Sequence, residues 1–205
     1  MILIIYTVKE GSEDGMKVSR EQVAENRRNI LAAAGRLFRE RGFEAVTVAE
    51  VMKAAGLTHG GFYGHFRSKD DLIAQTLASA LAPAGAPDEL DLARFATGYL
   101  SSLHRDDLAG GCPTAGLGAE AIRQAPEARA AMTAGLRQQI DRLARNAPGA
   151  TAAEKRRAAM GSWAAMVGAV ILARMSDDRQ LSDEMLAQTR AWIAEKNLAR
   201  SPGKA

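Results

Sequence analysis

Three helix-start signals fall between Thr47 and Asp71, and they confine this stretch to short helices joined by tight turns. Thr47-Val48-Ala49-Glu50 is a capping box, in which the hydroxyl and the carboxylate each satisfy an orphan backbone N–H. Gly56 stops the helix it opens after barely two turns, and Thr58 can cap another running to about Phe66. Ser68-Lys69-Asp70-Asp71, with Asp in the place of Glu, starts a third that carries Leu72, Ile73 and Leu77 to about Ala82. A longer amphipathic helix precedes them, from Ser19 or Glu21 to Arg41, with Ile30, Leu31, Ala34, Leu37 and Phe38 on one stripe and Gly42 ending it.

Two short helices across a glycine turn, behind a longer one, form a helix-turn-helix arrangement. Four of the five phenylalanines (Phe38, Phe43, Phe62, Phe66) fall here, enough for a small core. Phe62 and Phe66, at i and i+4, can both face it, which leaves Thr58, His59, Gly61, Gly64 and His65 on the other sides. Three glycines in one short helix cost up to about 1 kcal/mol each relative to Ala, so they ask for a reason. Close approach to a DNA groove is one, and close helix packing is the other.

Charge favours the first. The chain carries a net +3 over 205 residues, but residues 17–69 hold ten Lys and Arg against five acids, while 1–16 is net −2 and 70–205 is neutral. A basic module on a neutral body is the asymmetry of a protein that meets a polyanion through one end. Hydrophobic residues at 47% and charged residues at 25% exclude a disordered, collagen-like or wholly membrane-embedded chain.

Beyond residue 16 no strand alternation of any length occurs, and the fold class is all-α with about nine helices. The remaining helices are expected at about Asp88 to Asp107, from the Gly110-Gly111-Cys112-Pro113 break to Gln124, Pro126 to Arg145, Thr151 to Met175, and Asn197 backwards to a Ser182 cap. The expected domains are an N-terminal extension (1–16), a helix-turn-helix domain (17–67), an effector-binding and dimerisation domain (68–200) and a tail (201–205). The extension MILIIYTV lacks a positive flank and a cleavage site, so it reads as an upstream-translated segment before Met16 or as a short extra strand. The apolar run from Trp163 to Ala173 is about half of the roughly 20 residues a membrane span needs, and no membrane partner is expected.

The run RRNILAAAGRLFRERGFEAVTVAEVMKAAGLTHGGFYGHFRSKDDL resembles the N-terminal DNA-binding domain of the TetR family of bacterial transcriptional regulators. The similarity spans about residues 26 to 72 without gaps. It includes Thr47-Val48, Ala54-Ala55-Gly56 and the Phe62-Tyr63-x-His65-Phe66-x-Ser68-Lys69 run. The resemblance implies an all-α homodimer that binds a double-stranded DNA operator and is released by a small effector held in the C-terminal domain, most commonly as a repressor. It also places Thr47, Tyr63, His65 and Lys69 on phosphates, and Thr58, His59, Gly60 and Gly61 at the leading edge of the recognition helix. His59 departs from the Lys or Arg frequent in the family, and Gly64 from a larger residue. Without Arg or Asn there, bidentate base pairing by side chains is lost, and DNA shape carries more of the specificity. Tyr63 as a packing residue and Lys69 as a solvated charge are the plainer alternatives.

In the second module, small residues at Ala158, Gly161, Ser162, Ala165, Gly168 and Ala169, with Met185, Leu186, Thr189, Trp192 and Ile193, predict a two-fold homodimer interface through about 151–175 and 182–197. Tyr99, His104, Cys112, Met132, Trp163 and Met166 are the candidate effector-pocket residues, though each is also a common core residue. Cys112, the single cysteine, forms no intramolecular disulfide and belongs to no metal-ligand spacing, so no metal or cofactor is expected and the compartment reads as cytoplasmic. At a helix start Cys112 is either a thiol sensor of oxidants or electrophiles or a packing residue. A Cys112/His104 enzyme is a remote alternative without an acidic orienter, and a ligand-free architectural DNA-binding protein is another.

Overall fold

The computed structural model describes residues 19–82 and 91–198. The expected extension over 1–16, Lys17, the helix start near Asp88 and the tail over 201–205 lie outside the described residues. Among those described, the chain is all-helical, with nine α-helices and one 3-10 helix.

Helix α1 (Arg20–Ala45) starts on Ser19, whose hydroxyl accepts the Gln22 N–H. Gly42 breaks it at φ 82° and ψ 169°, and one further turn delivers Phe43 to the core. Helix α2 (Val48–Ala54) carries the capping box foreseen at Thr47 and Glu50. It ends in a Schellman closure, in which Gly56 at φ 74° donates to the Lys53 carbonyl and Leu57 to that of Met52.

The next element differs from expectation. It is a 3-10 helix, His59–Gly64, and the Thr58 side chain makes no capping bond. Three glycines in six positions give α geometry little support, while the need to bury both Phe62 and Phe66 fixes the turn at each end. Helix α3 (Lys69–Leu81) is capped by Ser68, but Asp71 reaches back to the Arg67 N–H rather than to that of Ser68.

The single helix expected from about Asp88 to Asp107 is two: α4 (Leu92–Tyr99), capped by Asp91, and α5 (Ser102–Asp106), capped by Ser101. The Ser101 hydroxyl takes the His104 N–H, so a second helix starts where apolar periodicity alone continues the first. Prolines open α6 (Pro113–Ala121) and α7 (Pro126–Arg145). Helix α8 (Ala152–Met175) begins with a second complete capping box, Thr151 with Glu154. Helix α9 (Arg179–Leu198) is capped by Asp178, which accepts the Gln180 and Leu181 N–H groups. Ser182, the expected cap, instead lies buried one turn in, donating to the Ala173 carbonyl and accepting from Arg105.

Two hydrophobic cores result. The first joins α1, α2, the 3-10 helix and α3 to one side of α6 and α7 through Leu117, Ala121, Ala128 and Met132. All four N-terminal phenylalanines are in it, Phe38 edge-on to Phe43 and Phe62 stacked with Phe66. The second gathers α4, α7, α8 and α9 around Trp163, Met166 and Val170. Helices α3 and α7 cross closely at Gly135, where a β-carbon would sit 2.5 Å from that of Leu81. By length and composition α8 is long and apolar enough to cross a membrane, and here its Trp163, Met166 and Val170 side is the centre of the second core.

Candidate nucleic-acid interface and interior chamber

The helix-turn-helix leaves one side of the 3-10 helix uncovered. Phe62 and Phe66 hold the 3-10 helix from beneath, and the Arg27 guanidinium sits 4.8 Å over the Phe66 ring while donating to the His65 carbonyl at 2.8 Å. That seat leaves Thr58, His59, Gly60, Gly61 and Tyr63 exposed and His65 and Lys69 half-buried. Tyr63 is 74% exposed, more than a residue that closes interhelical packing retains. A β-carbon at Gly60 or Gly64 would meet nothing within 4 Å, so neither glycine serves packing within the chain.

Thr47 is exposed, yet its hydroxyl donates to the Glu50 carboxylate at 2.8 Å and accepts the Glu50 N–H. It is a structural cap in this state. The Thr47 backbone and side chain, followed by Arg41, hold the Glu50 carboxyl down at about 2.

The second feature is a half-open chamber of about 760 Å³ between α3, α4, α6, α7 and α8. Of the six pocket residues expected, Tyr99, His104, Cys112 and Trp163 line it. Met132 and Met166 do not. Met132 packs in the first core and Met166, fully buried, in the second, because each helix face that carries them points at a neighbouring helix. Sequence reasoning missed Phe95, Gln139, Arg142 and Arg145, the last three on a helix α7 stretch that resembles a solvated face. Their spacing at i, i+3 and i+6 on one side of α7 was the available signal.

Around the chamber's lip the polar groups are closely fixed. His104 Nε2 accepts the Cys112 N–H at 3.0 Å, which assigns the other proton to Nδ1, 2.7 Å from the Tyr99 carbonyl. Burial, followed in the same direction by the Arg174 charge, lowers the His104 pKa and keeps the ring neutral. With both nitrogens engaged by backbone, His104 has no lone pair for the thiol. Arg174 donates to the carbonyls of Arg105 and His104 at 2.9 and 3.0 Å, tying α8 to the end of α5. Gly111 is required here, since a β-carbon would meet the Asp107 carbonyl oxygen at 2.5 Å and Arg174 at 2.7 Å.

Two side-chain bonds join the C-terminal body to the basic module, one of them beside this lip. Arg39 on α1 donates to the Ala109 carbonyl at 2.6 Å, and Glu120 on α6 accepts the Phe43 N–H at 2.8 Å. Both meet the last turns of α1, next to α2. Among the described residues no His, Cys, Asp or Glu cluster is arranged to hold a metal ion.

Of the interface residues foreseen on α8 and α9, Gly161 and Trp192 are exposed, Ala158, Ala165, Gly168, Met185 and Thr189 are half-buried, and the rest are buried. Ser162, Ala169, Leu186 and Ile193 are buried in this chain's own core. Met160, Gly161, Ala164, Leu172 and Met175 of α8, with Leu181 and Trp192 of α9, are exposed.

Comparison with known proteins gives the family of both parts of the chain. The family described as bacterial regulatory proteins, tetR family, matches residues 30–76, and the tetracyclin repressor-like C-terminal domain matches residues 89–189. The HTH-type transcriptional regulator AcrR of Shigella flexneri is 39% identical over 57 residues, 28% of this chain and 26% of that protein. The HTH-type transcriptional repressor KstR2 of Mycolicibacterium smegmatis is 35% identical over 60 residues, 29% of each chain. The matched segment thus spans roughly a quarter to a third of these relatives' length. The reduced form of NemR from E. coli superposes with a TM-score of 0.65 at 23% identity, over 83% of this chain and 96% of that one. TylP, a tetR regulator from Streptomyces fradiae, gives 0.60 at 27% identity over 87% and 88%.

Proposed function

Because the chain belongs to the TetR family of bacterial regulatory proteins, whose members are DNA-binding transcription factors and not enzymes, we propose that it is a cytoplasmic repressor that leaves a palindromic operator when a small molecule enters the chamber. The family implies operator binding and, typically, a homodimer. The observation that carries the reading is the pair of links to the end of α1, one from Ala109 beside the chamber's lip to Arg39 and one from Glu120 of α6 to Phe43. A ligand that shifts the 107–113 segment pulls on the first link directly and on the second through α6, which starts at Pro113 and carries Glu120 near its far end, and so on the helix from which α2 and the 3-10 helix hang.

The DNA-facing set is Thr58, His59, Gly60, Gly61, Tyr63, His65 and Lys69, with Thr47 positioning α2. Tyr63 and Lys69 hold phosphates, and the open glycines let the 3-10 backbone sit close to the groove. Two-fold pairing through the exposed faces of α8 and α9 places two such heads on one side of a duplex, about 34 Å apart or a multiple of it. The open space around Gly161 and Gly168 supports a partner helix there. Effector action is population shift: the ligand weakens operator binding only by its differential affinity for the two arrangements.

A selection of operator from random duplex DNA, followed by anisotropy titration of wild type and Arg39→Met, tests the coupling. The reading expects normal operator affinity in the variant and a diminished response to any ligand that releases the wild type. A full response in the variant contradicts it.

A second reading has one observation in its favour: the Cys112 thiol, half-buried, lines the chamber at the start of α6. Here covalent modification of the thiol, rather than occupancy alone, shifts the lip. Cys112→Ser that still releases operator on treatment with oxidant or electrophile ends this reading.

A further inference from the structure

Several residues that line the chamber carry buried hydrogen-bond donors without a partner. Of the five buried side-chain polar atoms without a partner among the described residues, four belong to chamber residues: Tyr99 Oη, Trp163 Nε1, Gln139 Nε2 and Arg142 Nε. The last three can only donate, and the first is a donor when neutral. Burial, reinforced by the adjacent Cys112 thiol, pushes the Tyr99 phenol above its ordinary range, so it keeps its proton, and the sulfur beside it is a weak acceptor at most. Native interiors pair nearly all such groups, and a cluster of orphaned donors around one cavity points to a missing acceptor.

Three aromatic rings stand together on one part of the wall, among small and aliphatic residues. The Phe95, Tyr99 and Trp163 rings lie with centroids 5.7, 5.3 and 6.3 Å apart, and the Arg142 guanidinium stands 6.0 Å from the Phe95 ring. The anionic residue on the lining, Asp141, is paired with Arg156 on α8. His104 is neutral and occupied by backbone on both sides. The local balance therefore favours an anion beside Arg142. A volume of about 760 Å³ lies within the usual range for drug-sized ligands.

Resting on the reading of the chamber as the effector site, we infer that its ligand is a planar aromatic carboxylic acid, the rings laid on Phe95, Tyr99 and Trp163 and the carboxylate taken by Arg142 and Gln139. An aliphatic acid leaves the aromatic wall unmatched. A neutral aromatic brings no charged acceptor to Arg142, whose Nε lacks a partner.

The test uses the full chain carrying Trp192→Phe, so that Trp163 is the single tryptophan reporter. Three probes are titrated: 2-naphthoate, its neutral methyl ester and decanoate. The inference expects saturable quenching by 2-naphthoate with an affinity at least tenfold above that of the other two. Arg142→Gln should remove this advantage while leaving the ester's affinity within about twofold. Gln139→Leu, which keeps the charge and guards against a folding defect in the first variant, should weaken the acid severalfold. An ester or decanoate that binds as tightly as the acid overturns the ligand class and leaves the chamber as an effector site. No saturable change with any probe overturns both. Binding of 2-naphthoate without loss of affinity for the selected operator keeps the ligand class and contradicts release as its consequence.

Discussion

The Glu120 carboxylate accepts the Phe43 N–H at 2.8 Å and occupies the place where a β-carbon on Gly42 would stand, its oxygens 2.7 and 2.9 Å from it. One residue of the C-terminal body thus holds the break in α1 through a bond and through shape, and only glycine at φ +82° admits it.

Gly42→Ala should therefore be costly twice over, by backbone strain and by displacement of the carboxylate. Strain of this kind is of the order of 1–3 kcal/mol, which lowers Tm by several degrees in a chain of this size. Thermal denaturation of the variant checks it, and Glu120→Gln, which keeps an acceptor oxygen, should lose distinctly less.

The α2 capping box should fail in acid. The Glu50 carboxyl is lowered from 4.5 to about 2 by its bonds to Thr47 and Arg41, so its contribution is fully present above about 4.5 and is lost as pH falls towards 2. Over that window Glu50→Gln should show a flatter loss of stability than wild type. Parallel curves measured by denaturant titration would contradict the assignment.

On DNA, Lys69→Ala should weaken binding to specific and unrelated duplexes alike and reduce the slope of log affinity against log salt by about one unit. Tyr63→Phe removes a neutral donor, so it should weaken all sequences without moving the slope. Anisotropy titrations at several salt concentrations separate the two.

Leu172→Glu places a charge in the middle of the exposed α8 face without touching either hydrophobic core. Light scattering should find the variant monomeric where wild type is dimeric, and operator affinity should fall by much more than tenfold. A dimer that persists in the variant removes this face from the interface.

What the amino-acid sequence made legible follows from how each signal is carried. Phe38, Phe43, Phe62 and Phe66 announce a core because nothing else of that bulk is available nearby, and all four are buried. Thr47, Glu50 and Gly56 act on backbone within a few residues, so α2 and its end were readable directly. The family resemblance, rather than periodicity, supplied the roles of Tyr63 and Lys69. Less local features escaped. Tyr99 and Trp163 are far apart in sequence and meet across α4 and α8, and nothing in their own segments distinguishes them from Met132 and Met166, which are core. Gln139 and Arg142 look like a solvated helix face until the helices around α7 turn that face into a chamber wall. The break between α4 and α5 depends on the Ser101 side chain competing for the His104 N–H, a local choice that apolar spacing does not encode.

The central claim is that the chamber and the DNA-reading head are coupled through the last turns of α1. The most direct test needs no knowledge of the natural ligand: the operator affinity of Thr114→Phe, which fills part of the chamber from α6, is compared with wild type on the selected palindrome. Coupling of about 1–3 kcal/mol, typical of allosteric sites, corresponds to roughly 5- to 150-fold, and the account predicts a loss in that range in a variant whose helicity and dimerisation are unchanged. A folded, dimeric Thr114→Phe protein that binds operator as tightly as wild type would contradict it.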